Sequence, residues 1–350
     1  MRIIFDNIIY SLQSAGGIST YWYEITSRML AHKNEIFFFE SKRIDNICYN
    51  NLKKIDRKVI HFRFPFIIIN RFLSVNANRF KKKYIFHSSY NRISSNKNAI
   101  NVITIHDFIH EKYYTGIRKF LHSWQKTKAI KKSDIILTVS QNTKIDLLAL
   151  HPYINPNKIK VVYNGVSTDF FFDESLSNTD KNSFILYVGS REMYKNFDFV
   201  VDCVEKFTNK KLFIVGSKLN KRECNLLQDK LPNRWVLFNG ISNKDLNILY
   251  NNAFALMYLS SYEGFGIPLL ESMKTGCPFI ALNKSSIPEV AGNAGVLIPE
   301  LEYKSVNKAL INIEKFRDKI IMKGFIQSSK FSWDKCFDET LKIYLEIFNK

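Results

Sequence analysis

The sequence is poor in cysteine, and its cysteines form no pattern. Five occur in 350 residues, and no two of them are arranged as Cys-x-x-Cys. They are Cys48, Cys203, Cys224, Cys277 and Cys336. A scattered, odd-numbered set argues against a disulfide scaffold and against a zinc site of the usual spacing. We therefore expect reduced thiols in a cytoplasmic protein.

Long apolar stretches are also missing. No run approaches the ~20 apolar residues that a helix needs to cross a bilayer. The first residues, 1–6, are too short and too soon interrupted for a secretion signal, so we expect them to form the first strand of a domain. The sequence shows neither a repeat nor a low-complexity tract. Its length suits two domains of the usual ~100–200 residues each.

Acidic residues are scarce in the first half of the chain. Residues 1–165 contain 27 Lys and Arg against 10 Asp and Glu, whereas the remainder contains 24 against 22. The net charge of +19 therefore belongs almost wholly to the first half. Such an asymmetry indicates an anionic partner, either a membrane surface or a nucleic acid. A nucleic-acid partner is not favoured, because no recognised DNA- or RNA-binding motif accompanies the basic residues.

The basic excess is greatest between residues 51 and 100, which hold 12 Lys and Arg and one acid, Asp56. Apolar residues interleave with the bases: Phe62, Phe64, Phe66, Ile67, Ile68, Ile69, Phe72 and Leu73. The same stretch carries the basic residues Arg71, Arg79, Lys81, Lys82 and Lys83. Each base near an anionic lipid surface contributes ~1 kcal/mol, and apolar side chains can enter the interface. We expect peripheral docking on the inner face of the cytoplasmic membrane; the alternative is a solvated basic face over a core strand.

Short apolar strands alternate with helix-compatible stretches along the whole chain. The predicted strands are 2–5, 35–39, 58–62, 84–87, 102–105, 135–139, 160–163, 184–188, 212–215, 235–238, 254–259, 278–282 and 295–298. Strands separated by helix-length segments form parallel sheets with helices on both faces. The predicted fold class is α/β, with two Rossmann-like domains facing across a cleft. They span residues 1–165 and 166–332, are joined at the turn-rich segment 164–168, and are followed by a helix in 333–350.

The stretch from residue 254 to residue 282 is the most informative in the chain. The apolar run 254–259 predicts a buried strand, and a loop carrying Glu263 follows it. Pro268 fits the first turn of the next helix, which we expect to end near Gly276. The sequence therefore predicts a strand, a glycine-containing loop and a helix N-terminus in succession.

The chemistry of this loop suits a sugar nucleotide. Gly264 and Gly266 allow backbone N–H groups to approach a ligand, and the helix N-terminus attracts phosphate. Glu263 and Glu271 can accept hydrogen bonds from paired hydroxyls, such as those of sugars and riboses. The alternative is a generic strand–loop–helix unit whose glutamates are solvated caps.

A second predicted strand end carries two basic residues. Strand 184–188 is followed by a glycine turn and then by Arg191 and Lys195. Arg presents a planar fork to phosphate oxygens, and Lys presents a mobile point charge. Ligands of doubly wound sheets lie beyond the carboxyl ends of strands, so we expect both residues in the site. The alternative is that they are ordinary surface bases of a basic protein.

Two weaker candidates lie in the first half. Gly16 and Gly17 follow the first strand region and open a helix that we expect to span residues 21–30, although a plain loop would also contain such glycines. His106 follows a predicted buried strand, where site residues are expected, although loop histidines are often structural. The spacing of His106 and His110 would suit a metal on a helix, but their flanks predict a strand followed by a loop.

The segment Ser-Ser-Tyr-Glu-Gly-Phe-Gly-Ile-Pro-Leu-Leu-Glu-Ser-Met, which contains Glu263 and Glu271, resembles the acidic motif of the retaining glycosyltransferases of family 4. This family has the GT-B fold. The resemblance covers nearly the whole chain, is sharpest in 183–290 and in the C-terminal tail, and is loosest in 40–95. It implies that the closing helix returns to pack on the first domain.

The resemblance also implies roles for the candidate residues. The catalytic residues that it implies are Glu263, Arg191, Lys195 and His106. The donor-binding residues that it implies are Gly16, Gly17, Gly264, Phe265, Gly266, Ile267 and Glu271. By this resemblance, Glu271 binds ribose hydroxyls and Glu263 binds a hydroxyl of the donor sugar. Arg191 and Lys195 hold the donor diphosphate and stabilise it as the leaving group, and His106 hydrogen-bonds the sugar.

The expected function is retaining transfer of a hexose from GDP-mannose or a UDP-hexose, with mannose favoured. The expected acceptor is a lipid-linked saccharide in the assembly of O-antigen, capsule or lipopolysaccharide. We expect no cofactor and no metal, because the chain has no Asp-x-Asp motif and fixed positive groups can replace the ion. The alternatives are a sugar-nucleotide epimerase or phosphorylase with the same fold and a basic nucleic-acid binder without enzymatic activity.

Overall fold

The computed structural model describes residues 1–32, 34–62, 67–176 and 182–350. The chain divides into two units, which we number 1 and 2. Unit 1 consists of Met1–Asn164 together with Trp333–Lys350, and unit 2 consists of Gly165–Ser332. The C-terminal segment therefore belongs to the same unit as the first strand.

Among the described residues, seven parallel strands form the sheet of unit 1. They are β1 (Arg2–Asp6), β2 (Glu35–Glu40), β3 (Lys58–His61), β4 (Tyr84–Ser88), β5 (Ala99–Ile105), β6 (Ile135–Thr138) and β7 (Ile159–Val161). The helices are α1 (Ile9–Leu12), α2 (Gly17–Leu30), α3 (Ile47–Leu52), α4 (Ile67–Phe72), α5 (Ile109–Tyr113), α6 (Gly116–Lys132) and α7 (Gln141–Leu150). The strand order is β3-β2-β1-β4-β5-β6-β7. Successive strands are added on one side of β1 as far as β3 and on its other side from β4 onward, so the strand order reverses between β1 and β4.

Unit 2 repeats this plan with six parallel strands in its described part. They are β8 (Phe184–Val188), β9 (Lys211–Val215), β10 (Trp235–Phe238), β11 (Ala255–Tyr258), β12 (Phe279–Leu282) and β13 (Val296–Ile298). The helices are α8 (Phe197–Phe207), α9 (Lys221–Lys230), α10 (Asn243–Asn252), α11 (Ile267–Lys274), α12 (Ile287–Ala291) and α13 (Tyr303–Ser328). The order β10-β9-β8-β11-β12-β13 reverses between β8 and β11.

Every predicted strand forms, and the predicted α/β class with two parallel sheets is confirmed. The boundaries differ from the predicted ones by at most three residues; the largest difference is in β5, which begins at Ala99. Strands in the middle of a parallel sheet are covered on both faces, so they consist largely of apolar residues. The strands β4, β11 and β12 are buried at every residue, which explains why short apolar runs located them.

Helix starts follow from local hydrogen bonds. As predicted, Ser140 caps α7, and its Oγ accepts a hydrogen bond from the N–H of Thr143 at 3.0 Å. Helix α2 begins at Gly17 rather than at the predicted residue 21. The reason is that the Thr20 N–H already donates to the Gly16 carbonyl at 3.0 Å, which closes the first turn.

The C-terminal helix α14 (Trp333–Phe348) packs on α2 and β4 of unit 1. The Trp333 ring lies 6.3 Å from the ring of Tyr21, measured between centroids. Near the other end of the helix, the Tyr344 hydroxyl bonds to the His87 imidazole, and both side chains are buried. Burial lowers the pKa of His87 to about 3, and the neighbouring His106 adds to this effect, so the ring is neutral.

A buried ion pair connects β1 to the segment that follows β4. Arg92 Nη1 lies 3.0 Å from Asp6 Oδ1, and the two side chains are 4% and 0% exposed. The Ser88 hydroxyl also donates to Asp6, at 2.8 Å, and Arg92 Nε donates to the Leu73 carbonyl at 3.1 Å. Burial raises the pKa of Asp6, although Arg92 opposes the rise. Each charge in the core therefore depends on the other for compensation.

The predicted membrane-docking stretch is only partly described. Phe64 and Phe66 lie outside the described residues. Lys81, Lys82 and Lys83 are exposed in the loop that precedes β4, and the Lys83 ammonium donates to the carbonyl of Phe348 at 2.9 Å. Within the described ranges, no helix is both long enough and apolar enough to cross a membrane.

Replacing Arg92 by leucine should lower the free energy of unfolding of unit 1 by ~3–5 kcal/mol, because Asp6 then remains buried without its counter-charge. The matched control is Arg2→Leu, which breaks an ion pair with Glu35 whose side chains are 26% and 40% exposed. That change should cost ~1 kcal/mol or less. Calorimetric unfolding of both variants measures the difference. Equally small losses would contradict the assigned role of the buried pair.

Candidate active site

The reversal of strand order in unit 2 places two loops side by side. Strand β8 pairs with β9 on one side and with β11 on the other. The loop after β8 carries Lys195, and the loop after β11 carries Glu263. In doubly wound sheets, ligands bind outside the carboxyl ends of the strands at this reversal. The topology therefore selects these two loops as the candidate site.

Lys195 and Glu263 form an ion pair between these loops, with 2.8 Å between Nζ and Oε1. Their side chains are 13% and 11% exposed, so the pair is shielded from bulk water but still accessible. The ammonium lies 5.6 Å from the centre of the Tyr258 ring. Burial raises the pKa of Tyr258 well above its ordinary value, and Glu263 raises it further, so the phenol is neutral. The structure thus brings two sequence-predicted site residues into direct contact.

Asn196 ties the two loops together. Its Nδ2 donates to the Leu259 carbonyl at 2.6 Å and to the Ser261 hydroxyl at 2.8 Å. The Ser261 N–H in turn donates to the Tyr194 carbonyl at 2.7 Å. Asn196 has a φ of 53°, in the left-handed region that asparagine tolerates better than most residues. Asn196 was not among the predicted site residues; its place directly after Lys195 was the available signal.

Two serines hold the backbone of the Glu263 loop from the other side. The Glu263 N–H donates to the Ser285 hydroxyl at 2.8 Å. The Ser286 hydroxyl donates to the carbonyl of Glu263 at 2.9 Å and to that of Phe265 at 3.1 Å. The loop geometry is therefore fixed by protein contacts. Sequence reasoning did not find these two serines, because they lie more than twenty residues further along the chain.

The glycine-containing loop leads directly into α11. Gly266 caps the helix with a φ of +105°, a conformation that residues with a Cβ rarely adopt. The helix begins at Ile267, and Pro268 lies in its first turn as predicted. Gly264 and Phe265 are buried. The predicted contribution of this segment to donor binding must therefore come from its backbone and from the partial positive charge of the helix N-terminus.

Glu271 lies one turn into α11 and binds a tyrosine. The Tyr250 hydroxyl donates to Glu271 Oε2 at 2.9 Å. Burial raises the pKa of Glu271 to about 7, and the bond from Tyr250 opposes the rise. The carboxyl group therefore exchanges its proton near neutral pH. Its partner Tyr250 comes from α10 and was not among the predicted site residues.

Arg191 makes its contacts with the loop after β9 and with the start of α9. Its side chain is 3% exposed, and its Nε lies 3.0 Å from the Glu223 carboxylate. Its Nη2 donates to the carbonyls of Ser217 and Lys218, both at 2.9 Å. Nη1 is buried and has no acceptor within the part of the chain that the structure describes. Arg191 thus joins the loop after β8 to the loop after β9, and its predicted contact with phosphate stays a prediction.

His106 follows β5 in unit 1, at the predicted place. Its ring meets the Tyr21 ring edge-on, with 5.0 Å between centroids. Burial lowers the pKa of His106 to about 4, so the ring is neutral at physiological pH. His106 lies in the loop before α5 and His110 within α5, so the two do not share a helix face. His110 instead stacks on His122, with 3.7 Å between centroids.

Gly16 and Gly17 also lie in unit 1. Both are exposed, and Gly16 caps α2 with a φ of +152°. Its carbonyl accepts a hydrogen bond from the Ser19 hydroxyl at 2.9 Å. The structure thus places these glycines at a helix N-terminus, and their predicted role toward the donor stays a prediction.

Comparison with known proteins places the chain in a family. The model of the family described as Glycosyltransferase Family 4 matches residues 15–170, and that described as Glycosyl transferases group 1 matches residues 168–324. O-antigen chain mannosyltransferase B of Escherichia coli is 26% identical over 384 aligned positions, which cover 98% of this chain and 99% of that protein. O-antigen chain mannosyltransferase RfbU of Salmonella typhimurium is 29% identical over 224 positions, or 62% of each chain.

Solved structures share the fold. Sucrose-phosphate synthase of Thermosynechococcus elongatus superposes with a TM-score of 0.80 at 16% identity, covering 99% of both chains. HepE of Anabaena, in complex with UDP and glucose, superposes with a TM-score of 0.78 at 14% identity, covering 99% of this chain and all of that one. Because the two family models adjoin and together span residues 15–324, the chain belongs to the family 4 (group 1) glycosyltransferases, which have the GT-B fold.

Proposed function

We propose that this glycosyltransferase moves a mannosyl group, with retention, from a nucleotide-diphosphate sugar to a lipid-linked saccharide and needs no metal ion. The observation that carries the proposal is the Lys195–Glu263 ion pair at the ends of β8 and β11. It joins a cation and a hydrogen-bond acceptor beside a helix N-terminus. A nucleotide sugar presents the two groups that such a site attracts, namely a diphosphate and sugar hydroxyls.

Lys195 is the candidate for stabilising the leaving group. When the glycosidic bond breaks, negative charge grows on the diphosphate, and a fixed ammonium group stabilises that charge. The N-terminus of α11, which begins at Ile267, adds a partial positive charge at the same loop. Before the donor binds, Glu263 compensates the charge of Lys195. After it binds, the diphosphate takes over this compensation and Glu263 accepts a hydrogen bond from the sugar.

Glu271 is the candidate ligand of the ribose hydroxyls. An ionised carboxylate accepts hydrogen bonds at both oxygens, and these bonds are about twice as strong as neutral ones. Tyr250 already donates to Oε2. The bond from Tyr250 orients the carboxylate before the nucleotide arrives.

The choice of mannose and of a GDP-linked donor rests on the relatives. Two of them carry the name O-antigen chain mannosyltransferase, one matched along nearly its whole length. A UDP-hexose is the alternative donor, since HepE of Anabaena was solved with UDP and with UDP-glucose. The word O-antigen in both names also supports the proposal of a lipid-linked saccharide as the acceptor. The net positive charge of residues 1–165 complements the anionic inner face of the cytoplasmic membrane. We propose that the protein associates peripherally with that face.

Substitution of either member of the ion pair should strongly reduce transfer without unfolding the chain. Lys195→Ala and Glu263→Gln should each lower the turnover number by ~10²–10³-fold, the usual cost of removing one stabilising group in an active site. The matched control is Lys230→Ala, which removes ion pairs with Asp202 and Glu205 of α8 and should leave turnover unchanged. Release of free nucleotide in the presence of acceptor measures transfer.

Two results would contradict this assignment. One is full activity of both site variants with melting temperatures like that of the wild type. The other is conversion of the donor to an isomer without release of nucleotide, which would indicate an epimerase instead of a transferase.

The donor nucleotide can be identified by thermal unfolding of the full chain with GDP, UDP, GDP-mannose, UDP-glucose and ADP. A nucleotide present at 100 times its dissociation constant stabilises the folded form by ~2.7 kcal/mol. We expect stabilisation by GDP and GDP-mannose, with ADP as the matched control. Stabilisation by UDP compounds alone would refute the GDP-mannose assignment and leave the transferase class intact.

Donor binding should depend on pH through Glu271. Since its pKa is about 7, lowering the pH from 8 to 6 protonates the carboxylate and removes a charged acceptor. The Michaelis constant for the donor should therefore rise about fivefold, because a neutral acceptor loses ~1 kcal/mol of hydrogen-bond strength. Glu271→Gln should bind the donor weakly at both pH values, without this change. A wild-type constant that does not vary between these pH values would exclude the carboxylate from donor binding.

A further inference from the structure

Helix α6 carries large apolar side chains on its solvent-facing side. Ile117 is 72% exposed, Phe120 is 64% exposed and Trp124 is 47% exposed. Their spacing of three and four residues places them along one face of the helix. Leu121, beside them, is 40% exposed. We call these four residues the α6 apolar face.

The opposite side of α6, which faces the core of unit 1, is unusually polar. His122, Gln125 and Lys126 are between 3% and 5% exposed. A helix at the surface of a globular protein normally shows the reverse pattern, with its apolar stripe buried and its polar side in water. The polarity of the central part of α6 is therefore inverted. Such a helix buries little apolar surface and gains little hydrophobic stabilisation, unless another molecular surface covers its outer face.

Hydrogen bonds fix this orientation. The Lys126 ammonium donates to the Glu111 carboxylate at 2.8 Å and to the Asp107 carbonyl at 2.9 Å. Gln125 Nε2 donates to the Arg71 carbonyl at 2.5 Å. Rotating α6 to bury its apolar face would break these bonds and leave a buried ammonium without compensation, so the exposed face is part of the fold.

Helix α4 extends the surface. Through the bond between Gln125 and Arg71 it lies beside α6, and it also exposes apolar groups. Ile69 is 46% exposed, and Leu73, directly after the helix, is 43% exposed. Both helices contribute to one cavity, with Phe72 from α4 and Leu121 from α6 in its wall. Part of the stretch that the sequence predicts to dock on membranes thus adjoins α6, which lies outside that stretch.

The charge of α6 is of one sign. Its residues 116–132 include six Lys and Arg and no Asp or Glu. Lys131 and Lys132 are exposed at its C-terminal end, and the Lys128 ammonium lies 5.2 Å from the centre of the Trp124 ring. The surface thus combines an aromatic and aliphatic stripe with lysines whose long stems can reach around it. A second copy of this chain would bring the same positive charge to the interface and be repelled.

We propose that the α6 apolar face, with Ile69 and Leu73 of the α4 region, is the surface by which unit 1 docks on an anionic lipid bilayer. Trp and Phe side chains partition into the membrane interface, and each lysine near the surface adds ~1 kcal/mol of attraction to anionic lipid. The inference deepens the proposed function, since a lipid-linked acceptor lies at such a surface. Docking itself requires neither donor nor acceptor.

The test uses the full chain and phosphatidylcholine vesicles with or without phosphatidylglycerol. Binding should require phosphatidylglycerol and weaken as salt is added. Phe120→Ser should lower the vesicle partition coefficient about tenfold, from the loss of one inserted aromatic side chain. The matched control is Ile326→Ser in α13 of unit 2, since Ile326 is 63% exposed but lies outside the proposed docking surface. This control should bind like the wild type.

Tryptophan fluorescence locates the contact. Of the four tryptophans, Trp124 is exposed, Trp22 and Trp333 are buried, and Trp235 is half-buried. Brominated lipids should therefore quench the wild type, whereas Trp124→Phe should bind equally well and lose the quenching. Unchanged binding of Phe120→Ser, or quenching that persists in Trp124→Phe, would overturn the proposal. So would concentration-dependent dimerisation that Phe120→Ser abolishes. Since no transfer is measured, these outcomes are independent of the glycosyltransferase assignment.

Discussion

Two opposite charges that are to bind a ligand must lie close to each other and be shielded from water before the ligand arrives. Lys195 and Glu263 satisfy this requirement at 2.8 Å, with most of each side chain shielded from solvent. The attraction between them is largely offset by the desolvation of both groups, so the net stabilisation is small. A ligand that offers phosphate to one and hydroxyls to the other can therefore replace the mutual contact at little cost. The fixed loop backbone, bonded to Asn196 and Ser286, keeps the geometry during that exchange.

Both units place an ion pair beside the reversal of strand order, yet the two pairs differ in exposure. In unit 1, Asp6 at the end of β1 pairs with Arg92, and the side chains are 0% and 4% exposed. In unit 2, the corresponding side chains of Lys195 and Glu263 are 13% and 11% exposed. The first pair is sealed by the fold and holds strands and loops together. The second remains partly accessible to solvent, as the proposed role in donor binding requires.

The strand pattern and the two loops of the site could be predicted from the sequence, because buried parallel strands are apolar throughout and polar residues at their ends stand out. Contacts made by residues far apart in the chain could not be predicted. The spacing of Arg191 and Lys195 indicated a shared phosphate site, but Arg191 pairs with Glu223 in the first turn of α9. Helix α6 was missed for a related reason. Its periodicity is clear, but only the bonds of Gln125 and Lys126 show which side faces inward.

The histidines are distributed as unevenly as the charge: all seven lie in unit 1. Burial lowers the pKa of His106 and of His110 to about 4, below the ordinary value near 6.5. As the pH falls below about 6.5, these two histidines take up protons in the unfolded chain but stay neutral in the folded unit. Unit 1 therefore loses stability. Glu271 in unit 2 has the opposite effect on stability. Its pKa is raised in the folded chain, so it binds its proton more tightly there and stabilises unit 2 as the pH falls. Acidification should therefore destabilise unit 1 before unit 2, and the C-terminal helix α14 with it, because α14 packs on α2 and β4 of unit 1.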